Sequence, residues 1–345
     1  MEINQIVQEL KQTSQKAPRK DWIGEWFKLK REIGNPNDIY ITSGKFGQTS
    51  FEWMTLPHEY VDGVGGLAWL LIKQGQQITK LPEIKNKSKP SLINWIQFSL
   101  DLIDYLKSND KKLKQIPWKK FNQEITRKSE IPRFRILESD MTNKIKNLAK
   151  MNQVSVNSIL LWTLSKTCEK HLLESPRTQL WGMPVNMRGL VNLPNQFANH
   201  VSFSLVSFNP QDTFNIFHHK IKKRLESKSY FCIWKILNIG KYLGKSKLKK
   251  LAVKEKNSPN KLMGIFSNLG IWNPSDNKKG PDFWVAGDST CSKYPIKAAV
   301  LGWKDCISIS LNINPAVCSF ETTTQEILNA WYDEINQLLS PQEIQ

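Results

Sequence analysis

The stretch from Leu56 to Gly66 reads LPHEYVDGVGG and carries one of only five histidines in a chain of 345 residues. Asp62 follows His58 by four positions, and Gly63, Gly65 and Gly66 come directly after it. An apolar, strand-forming run, SFEWMTL, leads into the stretch, and LAWLLI leads out of it. Glycine at such a join permits a tight turn or close approach of backbone or ligand. Histidine has an unperturbed pKa near roughly 6.5, so its neutral ring can take a proton at cellular pH. Placed on a loop at a sheet edge, His58 could deprotonate a substrate hydroxyl, amine or thiol. Asp62, one turn on, could pair with a basic group and lock the loop, with Arg188 a candidate partner. On these residues alone the bland reading stays open: a hydrogen-bonded histidine at a strand end, with glycines that merely allow a turn.

Working outward, Ile39–Thr42 and SFEWMTL read as the two strands of a hairpin, with SGKFGQ supplying the turn. LAWLLIKQG predicts a helix closed near Gly75. At the N-terminus, Ile3, Ile6, Val7 and Leu10 recur at helical spacing. LINWIQFSLDLIDYLK, from Leu92, predicts another helix. The polar, basic, proline-marked segment around residues 108–133 is the natural boundary, dividing the chain into lobes 1–130 and 131–345. Beyond it, RFRILES predicts a strand, DMTNKIKNLAKMNQ a helix capped by Asp140, and VSVNSILLWTLSKT a buried helix capped near Ser155. TQLWGMPVNM, NHVSFSLVSF, KLMGIFSNLG and PIKAAVLGWKDCISISLNI supply strands, and TTQEILNAWYDEINQLL a closing amphipathic helix. Strands and helices mix without strict alternation, which points to an α/β or α+β fold built on mixed sheets.

The chain is 40% hydrophobic, enough for a large core, and its net charge is +18. That charge favours anionic partners: nucleic acid, acidic lipid, a phosphorylated cofactor or an acidic carrier protein. The five cysteines lie far apart, with no CxxC pair and no Cys/His cluster at zinc spacing, so no metal is expected. Reduced thiols in a cytoplasmic protein are the natural reading. The first residues are too polar for a signal peptide, and no apolar run is long enough to span a bilayer. GVGG lacks the Lys-Ser/Thr of a phosphate-binding loop and the spacing of a dinucleotide-binding turn.

Several segments together resemble the chloramphenicol acetyltransferase-like superfamily, in family order from His58 almost to the C-terminus. HEYVDGVGG looks like its HxxxDG motif. VSVNSILLWTLSKT is similar to the helix that opens its second lobe. MPVNMRG resembles its PV-x-x-R strand, and NQFANHVSFSLVSF its Gly-Asn segment, with Asn199 at the asparagine. FSNLG resembles its Ser-Asn-x-Gly turn through Ser267, Asn268 and Gly270. That superfamily includes nonribosomal peptide condensation domains, plant alcohol acyltransferases and wax ester synthase/diacylglycerol acyltransferases. The resemblance implies two lobes with a tunnel between them, and acyl transfer from a thioester to a hydroxyl or amine. It implies His58 as general base and Asp62 as structural organiser. Gly63, Asn199 and Ser267 become substrate-binding candidates, the latter two for the acyl carbonyl or the cofactor arm. The co-substrate would be acyl-CoA or a phosphopantetheinyl acyl carrier protein, with no tightly bound cofactor, and the acceptor a small molecule or lipid. The chain departs from the pattern in two places. Pro57 stands where relatives often carry a first histidine, and His58 lies early, implying a shortened first lobe.

Two other classes of function stay open on the sequence. One is a catalytically silent relative that binds an acyl ligand or a carrier protein. The other is a basic membrane-surface or nucleic-acid-binding protein. The lysine-rich run KYLGKSKLKKLAVKEKNSPNK reads most simply as a solvated helix face. Together with FCIWKILNIG it also has the make-up of an interfacial helix, for peripheral membrane contact with a lipid substrate. The thirteen tryptophans suit core packing and tunnel lining. No glycine- and basic-interleaved RNA-binding signature surrounds them, which disfavours nucleic acid.

Overall fold

Ile39 and Ile41 alternate with Asp38 and Tyr40 in β1 (Asp38–Gly44), and the apolar pair points inward, as the two-residue period of a strand requires. β1 pairs antiparallel with β2 (Met54–Pro57), Ile41 opposite Met54 and Asp38 opposite Pro57. The second strand is shorter than SFEWMTL suggests. Pairing stops at Met54, and Thr42 Oγ1 donates instead to the Glu52 carbonyl at 2.7 Å. The computed structural model describes residues 8–9, 12, 22–76, 78, 80–99, 116–119, 131–256, 262–273, 280–291, 293–318 and 321–340. Most of the helix expected over Ile3–Leu10, the second half of that from Leu92 and most of the 108–133 boundary lie outside these residues.

The sequence reading missed one strand, β7 (Phe283–Asp288), which occupies the other edge of β1. The register runs antiparallel, from Ile39 opposite Asp288 to Gly44 opposite Phe283. Asp38 N also donates to Ser289 Oγ at 2.8 Å, across 251 residues of sequence. A three-stranded sheet, β2-β1-β7, results.

The larger sheet is built from β3 (Arg133–Leu137), β4 (Gln179–Asn186), β5 (Val201–Phe208), β6 (Gly264–Trp272), β8 (Ile296–Trp303) and β9 (Cys306–Ile313). Its order is β3-β9-β8-β6-β4-β5. The β4–β6 and β6–β8 pairs are parallel and the rest antiparallel, so the sheet is mixed, as expected. PIKAAVLGWKDCISISLNI divides into β8 and β9 at Lys304, whose φ of 51° turns the chain. Every residue of β8 and β9 is buried, which places them at the centre with a core on each face.

On one face lie the helices α3 (Ser139–Met151), α4 (Val156–Leu172) and α8 (Glu321–Leu339). Ile145, Leu164, Trp331 and Ile335 pack there against Val300, Ile309 and Leu311 of the sheet. Ser155 caps α4 as expected, accepting from Ser158 N at 3.1 Å. Asp140 does not cap α3: Glu138 is the N-cap residue, without a side-chain bond, and Asp140 pairs with Lys144 at 2.7 Å. A second core fills the opposite face. Ala299, Leu301 and Trp303 of the large sheet meet Ile39, Ile41, Leu56 and Trp284 of the small one. The alternation along β8, Ala298 and Val300 to one core and Ala299 and Leu301 to the other, joins the two layers.

α5 (Phe214–Glu226) packs against α4 and β5, and around the resulting cleft sit α1 (Trp22–Glu32), α6 (Ser229–Leu243) and α7 (Lys245–Lys256). α7 lies against α1, where Lys245 pairs with Glu32 at 3.0 Å and Lys256 Nζ donates to the Ile33 carbonyl at 2.9 Å. Among the described residues no helix is long and apolar enough to cross a membrane.

Candidate functional site

Asp62 starts α2 (Gly63–Lys73): its carboxylate accepts from Gly65 N at 2.7 Å as an N-cap. The three glycines therefore lie in the first turn of the helix, which begins earlier than LAWLLI suggests. Their place there has a packing cause. A Cβ on Gly65 would stand 2.1 Å from the Phe197 carbonyl oxygen, so only glycine lets the 195–200 segment approach.

That segment is held by the same carboxylate. Arg188 forks onto Asp62, Nη2 to Oδ1 and Nη1 to Oδ2, both at 2.9 Å, and His200 N donates to Oδ2 at 2.9 Å. The remaining Arg188 N–H groups reach the carbonyls of Gln196 at 3.0 and 3.2 Å and Ala198 at 3.1 Å, and Asn186 Oδ1 at 3.3 Å. Both charged groups are buried and fully hydrogen-bonded, the condition under which a buried pair is tolerated. The ion pair therefore ties the start of α2 to the end of β4 and to the approach to β5.

Between Ala198 and His200, both pinned in this way, Asn199 is fully buried and reaches back to His58. Its Nδ2 donates to the His58 carbonyl at 3.1 Å, and its Oδ1 lies 2.9 Å from His58 Nδ1. A carbonyl can bind only the NH2 end of the amide, so the oxygen must face the ring. Nδ1 then carries the proton, and the lone pair sits on Nε2. Among the described residues Nε2 has no hydrogen-bond partner. Phe27 of α1 stacks on the half-buried imidazole, with ring centroids 4.0 Å apart and planes at 23°.

His58 lines a cleft of about 360 Å³ between the two sheets. Asp62, Gly63, Arg188 and Ser267 line it too, whereas Asn199 stands behind the imidazole and outside the lining. Ser267 lies on β6, just before the irregularity between Asn268 and Ile271, and its hydroxyl has no partner among the described residues. One wall was not legible beforehand: Ile23, Trp26, Phe27 and Lys30 of α1 all face the cleft, at the i, i+3, i+4, i+7 spacing of one helix face. Their periodicity was readable in WIGEWFKLK; what they face was not. Among the described residues no group of three His, Cys, Asp or Glu side chains could hold a metal ion.

No protein-family model matches the chain, and no curated protein does. Solved structures do. The trichothecene 15-O-acetyltransferase of Fusarium sporotrichioides superposes with a TM-score of 0.54 at 12% identity, over 93% of this chain and 75% of that one. The EpoB cyclization-docking bidomain of a nonribosomal peptide synthetase from Sorangium cellulosum gives 0.53 at 12% identity, over 84% and 59%. Polyketide synthase associated protein 5 of Mycobacterium tuberculosis gives 0.52 at 11% identity, over 84% and 74%. Identities this low speak for architecture alone, and the chain has the fold of the chloramphenicol acetyltransferase-like superfamily.

Proposed function

We propose that this chain is an acyltransferase that moves an acyl group from a thioester to a hydroxyl or amine, with His58 as general base. The observation that carries the reading is the fixed tautomer of His58. Asn199 holds Nδ1–H, and Nε2 is left as the basic nitrogen of a residue lining a cleft of about 360 Å³. The acceptor O–H or N–H gives its proton to Nε2 while its lone pair attacks the thioester carbonyl carbon. Collapse of the tetrahedral oxyanion expels the sulfur, which recovers that proton from the imidazolium, so the ring ends as it began. The Asn199 amide oxygen, facing Nδ1–H, supports the transient positive charge. Asn199 thus serves as a positioning residue, since both ends of its amide are engaged by His58. Ser267 is the candidate donor to the oxyanion, where such a contact is worth a few kcal/mol. Asp62 organises the loop through Arg188 and does not touch substrate. Gly63, which lines the cleft at the start of α2, is the candidate contact for the acyl chain.

The donor would be acyl-CoA or an acylated carrier protein. The test is single-turnover incubation with a series of acyl-CoA thioesters and an acylated carrier protein, together with pooled alcohols and amines. Acyl esters or amides should form in parallel with thiol release. Bound acyl ligand with no transfer to any acceptor would instead favour a protein that only binds such ligands.

A further inference from the structure

Lys30 and Lys297 are only 3% and 8% exposed, yet both line the cleft. Among the described residues neither ammonium has a hydrogen bond or an ion pair. What they share is the ring of Tyr294, with the Lys30 and Lys297 nitrogens 5.8 and 5.6 Å from its centroid. A third lysine, Lys293, lies 5.6 Å from the same ring and pairs with Glu255 Oε1 at 3.4 Å. The Tyr294 hydroxyl also donates to Glu255 Oε1, at 3.2 Å. Asp288 lines the cleft as well, but no described lysine comes within ion-pair distance of it. Three lysines thus lie near one ring, with Glu255 the carboxylate that meets Lys293 and the Tyr294 hydroxyl.

With its stem buried and its Nζ open to the cleft, each ammonium has given up part of its hydration, and a cation–π contact returns only about 0.5–2 kcal/mol. A cluster of this kind is suited to an oxyanion entering from the cleft. Its distance from the candidate base is bounded by α1. Lys30 lies three residues after Phe27, so the two are neighbours on one helix face with Cβ atoms about 5–6 Å apart, and Phe27 stacks on His58. Both lysines are nearly closed off inside a cleft of about 360 Å³, a small-molecule volume, so the anion that meets them belongs to a ligand held within the cleft.

We propose that the Lys30–Lys297 end of the cleft binds the carboxylate or phosphate of a small acid whose other end meets His58. The identification of that acid as a substrate rests on the acyl-transfer reading; the anion site itself does not. The test is isothermal titration of the full-length protein, at low ionic strength, with succinate, inorganic phosphate and free coenzyme A as probes. Succinate or phosphate should bind saturably, and Lys30→Met and Lys297→Met should each weaken that binding by about tenfold or more, the range for losing a charged hydrogen bond. In parallel, amine acetylation of the wild type with mass-spectrometric readout should show Lys30 and Lys297 protected by the same anion. That measurement decides the matter if a variant fails to fold. No saturable binding of either small anion, or binding that both variants retain in full, would overturn the site. Protection of the two lysines by coenzyme A but by neither small anion would overturn its assignment to a small acid. None of these readouts needs turnover, so a failure of acyl transfer with anion binding intact faults the catalytic reading alone.

Discussion

An imidazole works as a base only when its second nitrogen holds the proton, and at His58 that condition is met by one amide. Asn199 is itself placed by the backbone on either side, which Arg188 and Asp62 hold. Three substitutions separate these roles. His58→Ala should lower the single-turnover transfer rate by about 10²–10⁴-fold, without loss of donor affinity, since in the proposed mechanism the ring handles only the acceptor's proton. Raising the pH should partly restore the variant where the acceptor ionises in solution. Asn199→Ala should lower the rate by up to about 10²-fold with the ring present but unanchored. Asp62→Asn should act on the fold as well, because Arg188 would keep a buried charge without its partner. Breaking such a pair costs about 3–5 kcal/mol, readable as a shift in the denaturation midpoint. An Asp62→Asn protein with unchanged stability and lost turnover would place the carboxylate in the chemistry instead.

At the scale of elements, α2 and α1 enclose the site in different ways. The first turn of α2 presses on the Phe197 carbonyl, and the contact leaves no room for a side chain at position 65. Gly65→Ala should therefore destabilise the protein by at least about 1–3 kcal/mol, although alanine is the better helix former by about 1 kcal/mol. Urea denaturation of the variant checks this, and a stabilised protein would mean that the 195–200 segment is free to move away. α1 is amphipathic in an unusual sense. Its inward face carries Phe27 and Lys30, one against the candidate base and one at the cationic end of the cleft. A single helix thus sets the spacing between the two.

For the molecule as a whole, β7 means that the early hairpin is completed only by residues 283–288. The second core likewise draws Leu269, Trp272, Trp284 and Trp303 from the later half of the chain. A fragment ending at residue 130 should then show no cooperative thermal transition by circular dichroism on its own, and should regain one on mixing with the fragment 131–345. The thiols report on the same packing. Burial raises the pKa of Cys168, Cys232 and Cys306, and nearby Glu138, Asp305 and Asp282 raise Cys306 further. A raised thiol pKa leaves less thiolate at a given pH, and the thiolate is the nucleophile. Iodoacetamide at pH 8 should modify the half-buried Cys291 well before these three in the native protein, as peptide mapping would show.

Local periodicity and the HxxxDG spacing determined much by themselves. The β1–β2 hairpin, the Ser155 cap and the mixed-sheet class were legible because each rests on neighbours in the chain. Arg188 could be named as a partner for Asp62 but not brought to it, since the contact spans 126 residues. The hidden features share one physical cause. β7 is short, bounded by turn residues, and a strand only because β1 offers it an edge. Gly63, Gly65 and Gly66 belong to a helix because the Asp62 carboxylate caps it and the Phe197 backbone leaves no space. Asn199 is brought to the ring and carbonyl of His58 across 141 residues of sequence, a contact no local pattern encodes. Lys30, Lys293 and Lys297 look like surface lysines in sequence, and only the tertiary structure gathers them around one tyrosine ring, because burial and charge proximity are properties of the folded chain.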